Sequence, residues 1–237
     1  MTFADKTVLV TGANRGIGQA LVAEALARGA RRVYAGTRQP FTHPDARVTP
    51  LTLDVTDAAQ VRTAADAVES LDILINNAGI AAPDRLTDIT VLERHLAVNL
   101  FGTHAVTQAF LPALVRSGGA IINILSVNSV AAMPLIPSYS ISKAAAFSMT
   151  QSLRALLAGQ GVRVHAVLPG PVDTDMIKGV DIAKASPESV AQAVFDGVGK
   201  GDEEIFPDSM SAPLADNWLN SPTKVLERQL AQQVPAP

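Results

Sequence analysis

Thr7-Val8-Leu9-Val10-Thr11-Gly12-Ala13-Asn14-Arg15-Gly16-Ile17-Gly18 passes from an apolar strand, through three glycines, into a helix with Ala20, Leu21, Ala25 and Leu26 inward. Glycines let a backbone turn tightly and approach a pyrophosphate closely. The N–H groups and dipole of the following helix then meet its charge. The spacing is G-x-x-x-G-x-G, not the commoner G-x-G-x-x-G, so its place at the end of a first strand carries the reading. The alternative is a tight turn that holds no ligand.

Outward from that loop, short β-branched runs alternate with longer amphipathic stretches, the pattern of repeated βαβ units around a parallel sheet. Strands are expected at 7–10, 32–35, 48–53, 73–75, 120–125, 162–167 and 203–206, and helices at 16–28, 58–70, 92–116, 138–158, 187–199 and 222–232. The fold class is therefore α/β: one doubly wound, Rossmann-like domain of about seven strands over residues 1–237, with helices on both faces and an atypical C-terminal segment at about 200–237. Residues 39–47 are too short and proline-rich for a crossover helix, so a loop over the sheet edge is expected there. The final Val234-Pro235-Ala236-Pro237 is expected to fray.

Composition narrows the function classes. The 237 residues are 48% hydrophobic and 17% charged, which fits a compact core and excludes a disordered chain. With no cysteine, there is no disulfide framework, thiolate metal site or cysteine nucleophile. A net charge of -3 without a basic stripe argues against a nucleic-acid partner. Met1-Thr2-Phe3-Ala4-Asp5-Lys6 runs straight into the first strand, and no apolar run is long enough to span a bilayer. A soluble cytoplasmic protein with no membrane partner is expected.

Charge also speaks to the cofactor. NAD-selecting folds place a carboxylate about twenty residues beyond the glycines, on the ribose 2′-hydroxyl. Here the second strand ends Tyr34-Ala35-Gly36-Thr37-Arg38, with Arg38 where the acid would stand and Arg15 inside the glycine loop. Two guanidiniums suit a 2′-phosphate, hence NADP(H); the alternative is two ordinary surface arginines.

Tyr139 and Lys143 lie one helical turn apart on one face. A phenol titrates near 10, and a neighbouring ammonium is expected to bring it toward neutrality so that it can act as acid and base. Ser126 ends the strand at 120–125, Asn76-Asn77-Ala78-Gly79 ends the one before it, and Leu168-Pro169-Gly170-Pro171-Val172-Asp173-Thr174 follows the next. In a doubly wound sheet all converge on one crevice.

Together these motifs resemble the compact, single-domain members of the short-chain dehydrogenase/reductase family, over roughly residues 5 to 175. Its T-G-x-x-x-G-x-G is Thr11 to Gly18, its N-N-A-G is Asn76 to Gly79, and its serine thirteen residues before Y-x-x-x-K gives Ser126, Tyr139 and Lys143. The resemblance implies catalysis by Ser126, Tyr139 and Lys143, with Asn99 as a helix-bending residue in the proton relay. It implies cofactor contacts from Gly12, Asn14, Arg15, Gly16, Ile17, Gly18, Arg38, Asp54, Val55, Asn77, Ala78 and Gly79. Tyr139, Lys143, Pro169, Gly170, Val172 and Thr174 would complete that set. Asp54 would hold the adenine amino group, Val55 the ring, and Val172 and Thr174 the carboxamide. The function implied is NADPH-dependent interconversion of a carbonyl and an alcohol, acting as a carbonyl reductase; a catalytically silent NADP(H) sensor on the same fold is the alternative.

Asn128, Met133, Pro171 and Met176 are expected to line a largely apolar substrate pocket, Asn128 either bonding substrate or capping its turn. The scattered histidines and Asp173 with Asp175 are read as structural, and no metal is expected. Trp218 either closes the pocket or anchors the tail. The long helices at 92–116 and 138–158 are expected to form a homodimer, with a homotetramer as the alternative.

Overall fold

A computed structural model describes residues 2–234. The expected fraying of the terminus falls mainly on 235–237, outside the described residues. Seven parallel strands stand in the order β3-β2-β1-β4-β5-β6-β7. They are β1 (Thr7–Thr11), β2 (Arg32–Thr37), β3 (Val48–Thr52), β4 (Ile73–Asn76), β5 (Ala120–Ile124), β6 (Arg163–Val167) and β7 (Glu204–Ile205). Chain direction across the sheet reverses between β1 and β4, the switch point where open α/β sheets bind ligands.

Alternation along the strands builds two cores. Val8, Val10, Ile73, Ile75, Ile122 and Ile124 point to one face, where α1 (Gly16–Ala27) and α6 (Pro187–Lys200) cover them with Leu21, Val22, Val194 and Phe195. Leu9, Leu74 and Ile121 point to the other, under α2 (Ala58–Ala67), α4 (Thr103–Ser117) and α5 (Pro137–Leu157), which add Val61, Phe110, Leu114 and Leu153. Central strands buried on both faces explain why the sequence shows continuous apolar runs there.

Among the described residues no helix joins β2 to β3. Phe41 tucks against the first core, and Arg47 ties the loop down through Asp45 and the Leu26 carbonyl. Pro50 sits in β3, an edge strand, where a missing N–H is tolerated.

The continuous helix expected over 92–116 is corrected. It begins at Ile89, where Asp88 accepts from Thr90 N, and α3 (Ile89–Leu96) passes through a π-helical segment, Ala97–Gly102, before α4. Two contacts favour this bulge over a regular helix. Gly102 is pressed on Val55, whose Cγ2 lies 2.6 Å from where a Cβ would be, and Asn99 is drawn out to the Ile80 backbone.

The C-terminal segment forms one helix the sequence pattern did not reveal, α7 (Ala212–Trp218), before α8 (Pro222–Ala231). Trp218 packs on Phe147 and Phe206 at ring-centroid distances of 5.9 and 5.8 Å, so its role is to anchor the tail. The fully buried Lys224 reaches Glu203, Glu204 and Glu227 at 2.7–3.0 Å, and Arg154 joins the same carboxylates. These two cations fill the space between the three acids. Among the described residues no helix is long and apolar enough to cross a membrane.

Candidate active site

The glycine loop is braced by the stretch after β4. Thr11 Oγ1 accepts from Asn77 N and Ala78 N, both at 3.0 Å, and Asn77 Nδ2 donates to Thr11 O and Gly12 O. The loop needs φ +65° at Gly12, and a Cβ at Gly18 would fall 2.1 Å from the Gly12 carbonyl oxygen. Helix α1 then starts with no side-chain cap and no acid in its first turn, leaving its N–H groups directed at the crevice edge. Asn14 is exposed and Ile17 half-buried. This loop fits the pyrophosphate of a dinucleotide.

Arg38 is exposed, and among the described residues its side chain has no hydrogen-bond or ionic partner. Arg15 differs from expectation: its guanidinium pairs with Asp175 at 3.2 Å, across to the segment after Thr174. Both groups are exposed, so the pair is weak and a phosphate could displace it. Thr174 itself reaches the loop, its Cγ2 lying 3.0 Å from where a Cβ of Gly16 would be.

At the adenine end, Asp54 Oδ1 accepts from Thr56 N and Thr56 Oγ1. The Val55 side chain is buried against Gly102, so little of it is left for the ring it was expected to pack on.

Ser126 stands just beyond β5, its Oγ accepting from Asn128 N at 3.1 Å. Thus Ser126 caps this turn, and the Asn128 side chain, expected as one of two possibilities to do so, is left for other contacts. Tyr139 lies on the first turn of α5, its hydroxyl near enough to Ser126 for that side chain to act on its titration. Burial raises the phenol above its usual range and the Ser126 bond opposes this. The expected downward pull from Lys143 is not seen. Lys143 Nζ sits 5.7 Å from the Tyr139 ring centroid and donates to the Ile124 carbonyl at 2.8 Å. Burial brings this lysine down to about 8.

Asn99 is 2% exposed and works as a brace: Oδ1 accepts from Ile80 N, while Nδ2 donates to Ile80 O and Ser142 Oγ. With its amide spent, its backbone carbonyl, which also accepts from Thr103 Oγ1 at 3.1 Å, is what remains for a relay. Gly79 lies beside both Asn99 and Lys143.

Pro169 O accepts from Val127 N at 3.0 Å, tying the segment after β6 to the Ser126 turn. Val172 is buried and bridges Ala185, closing a short lid between them. Pro171 is half-buried, while Met133 and Met176 are 40% and 49% exposed. Asp173 and Asp175 are paired with Lys184 and Arg15.

Two braces were invisible in the sequence. Asp84 accepts from Ser138 N and Ser138 Oγ, pinning the start of α5. His95, 1% exposed, accepts from Ala82 N at Nε2 and so donates from Nδ1 to Val91 O. Neither carries a spacing that would single it out.

A parallel doubly wound sheet with serine, tyrosine and lysine at the carboxyl edge, facing a glycine loop, defines an oxidoreductase scaffold. Residues 6–185 match the short chain dehydrogenase family model, and the chain belongs to that family. It is 34% identical over 205 residues to an uncharacterised oxidoreductase of Staphylococcus epidermidis, covering 80% of this chain and 89% of the relative. A similar protein of Staphylococcus aureus matches at 34% over 209 residues, covering 81% and 90%. A short chain dehydrogenase from Burkholderia cenocepacia, solved in complex with NADP, superposes with TM-score 0.88 at 38% identity over 99% of this chain and 100% of that one. The ligand-free aldohexose dehydrogenase of Thermoplasma acidophilum superposes with TM-score 0.77 at 25% identity, covering 86% and 92%.

Proposed function

We infer that this protein is an NADP(H)-dependent carbonyl reductase, interconverting a ketone or aldehyde and an alcohol. The observation that carries the reading is the Ser126–Tyr139 hydroxyl pair beside buried Lys143, on the sheet edge shared with the uncapped start of α1. The unpaired Arg38 supports the 2′-phosphate form, as does the NADP complex of the Burkholderia relative.

Held by the glycine loop and Lys143, a bound nicotinamide cofactor would supply the hydride in reduction and accept it in oxidation. Ser126 donates a hydrogen bond to the substrate oxygen and fixes its orientation. Tyr139 gives that oxygen a proton in reduction and takes it back in oxidation. Lys143 would hold the ribose hydroxyls with its ammonium. Protons return to Tyr139 along Lys143 and the Asn99 carbonyl. The proton and the hydride together convert C=O to CH–OH.

The substrate reads as a largely apolar carbonyl compound, from Met133, Pro171 and Met176 with Asn128 as a polar contact. A cytoplasmic homodimer through α4 and α5, binding no nucleic acid, completes the reading. Apolar Phe101 in the π segment and Leu156 on α5, 61% and 57% exposed, support the dimer face.

Tyr139→Phe tests the mechanism. NADPH binding, followed by fluorescence titration, should survive while ketone turnover is lost. Turnover within tenfold of wild type refutes the acid/base assignment. Silence of the wild type over a panel of aldehydes, aryl ketones and keto esters, with NADPH bound, moves the protein to the sensor reading.

A further inference from the structure

The turn after β7 is fastened to the loop after β6 by one carboxylate. Asp208 Oδ2 accepts from Gly170 N at 2.7 Å, and Oδ1 accepts from Met210 N and Ser211 N at 3.0 Å. Ser211 is fully buried, and its Oγ accepts from Asp208 N and donates to Asp208 O. The turn therefore has one shape, and Asp208 sets it.

That shape places Met210. A Cβ at Gly170 would lie 3.0 Å from both Met210 Cβ and Sδ, so the thioether covers Gly170 itself. Met210 is nonetheless 58% exposed, so the rest of it faces open space. Met133 follows β5 at 40% exposure and Met176 follows β6 at 49%. Three of the chain's five methionines thus project from loops after three adjacent strands, at the edge where Ser126 and Tyr139 stand. One exposed apolar side chain needs no explanation, but a set on one rim marks a surface built for an apolar ligand. A flexible, polarizable thioether adapts its shape and favours the edge of an aromatic ring.

We propose that the Met210 turn, held by Asp208, is the outer wall of the substrate site, and that the site takes an aromatic carbonyl compound, an aryl ketone or aryl aldehyde, against Met133, Met176 and Met210. This rests on the carbonyl-reductase reading for its reaction, but binding tests it separately.

Acetophenone is titrated calorimetrically into the NADPH complexes of wild type and Met210→Ala. Removing one thioether–ring contact should weaken acetophenone about five- to tenfold. NADPH affinity and the weaker binding of butanone should stay the same. Asp208→Ala, which frees the turn, should reproduce the loss. Equal acetophenone affinity in Met210→Ala, an equal loss for butanone, or no acetophenone binding by wild type overturns the proposal. Full affinity in Asp208→Ala overturns the part given to the carboxylate. Acetophenone that binds but is never reduced removes the reaction assigned above and leaves the site standing.

Discussion

Replacing Lys143 with methionine separates what the lysine costs the fold from what it does in the site. Lys143 is 6% exposed, and its ammonium titrates at about 8 against an ordinary 10.5, because burial disfavours the charge. That difference corresponds to roughly 3 kcal/mol of folding free energy spent at neutral pH. Lys143→Met removes that cost but leaves the Ile124 carbonyl, 2.8 Å from Nζ, without its donor, which costs about 1–3 kcal/mol. At pH 7 the two nearly cancel, so Lys143→Met should change stability little. The pH dependence is the sharper quantity. Between about 8 and 10.5 the unfolded chain carries a proton that the folded one lacks, so the lysine's cost is present below 8 and relieved as pH rises through that window. Tyr139, raised above its ordinary value, penalises the fold only above 10 and leaves the window to Lys143. Urea unfolding at pH 7 and pH 10, at one protein concentration, should show wild type gaining about 2–3 kcal/mol relative to Lys143→Met. A difference that is the same at both pH values refutes the claim that the lysine is held against its charge.

Gly18→Ala places a methyl 2.1 Å from the Gly12 carbonyl oxygen, and the glycine loop must open. NADPH affinity should fall more than a hundredfold by titration, and retention within threefold shows the loop does not hold the cofactor. Arg38→Ala should weaken NADPH about 10- to 100-fold, the worth of a charge-assisted bond, and leave NADH unchanged; parallel loss of both removes its 2′-phosphate role. Lys224→Met leaves Glu204, 1% exposed at its side chain, facing Glu203 and Glu227 with Arg154 alone. A loss of about 3–5 kcal/mol in urea unfolding is expected, and a loss below 1 kcal/mol means the network relaxes without it.

The central strands were legible because β1, β4 and β5 are short, apolar and buried on both faces, and the glycine loop because its backbone demands leave few residue choices. Ser126, Tyr139 and Lys143 were legible as types at a spacing, and a doubly wound sheet brings strand ends to one edge. The interruption of the long helix was implied at Asn99 by the family resemblance alone, not by the residues themselves. Leu92 to Arg116 is unbroken in propensity and contains no signal stronger than Asn99 and Gly102, whose partners Ile80 and Val55 lie far away in the chain. For the same reason the pairing of Arg15 with Asp175, 160 residues on, could not be read from either neighbourhood.

By itself the sequence determined the sheet, the crevice edge and the chemical types that meet there, because hydrophobic period and turn chemistry are local properties of the chain. The tertiary structure alone decided how those groups are tuned. It turned the Lys143 ammonium toward the Ile124 carbonyl, gave the Ser126 turn to the serine's own hydroxyl, and drew Asn99 into a brace. It also fastened the C-terminal turn to Gly170 through Asp208. All but the Ser126 turn, which is local, are contacts between residues distant in the chain, and burial and hydrogen-bond geometry exist only once the fold has brought them together.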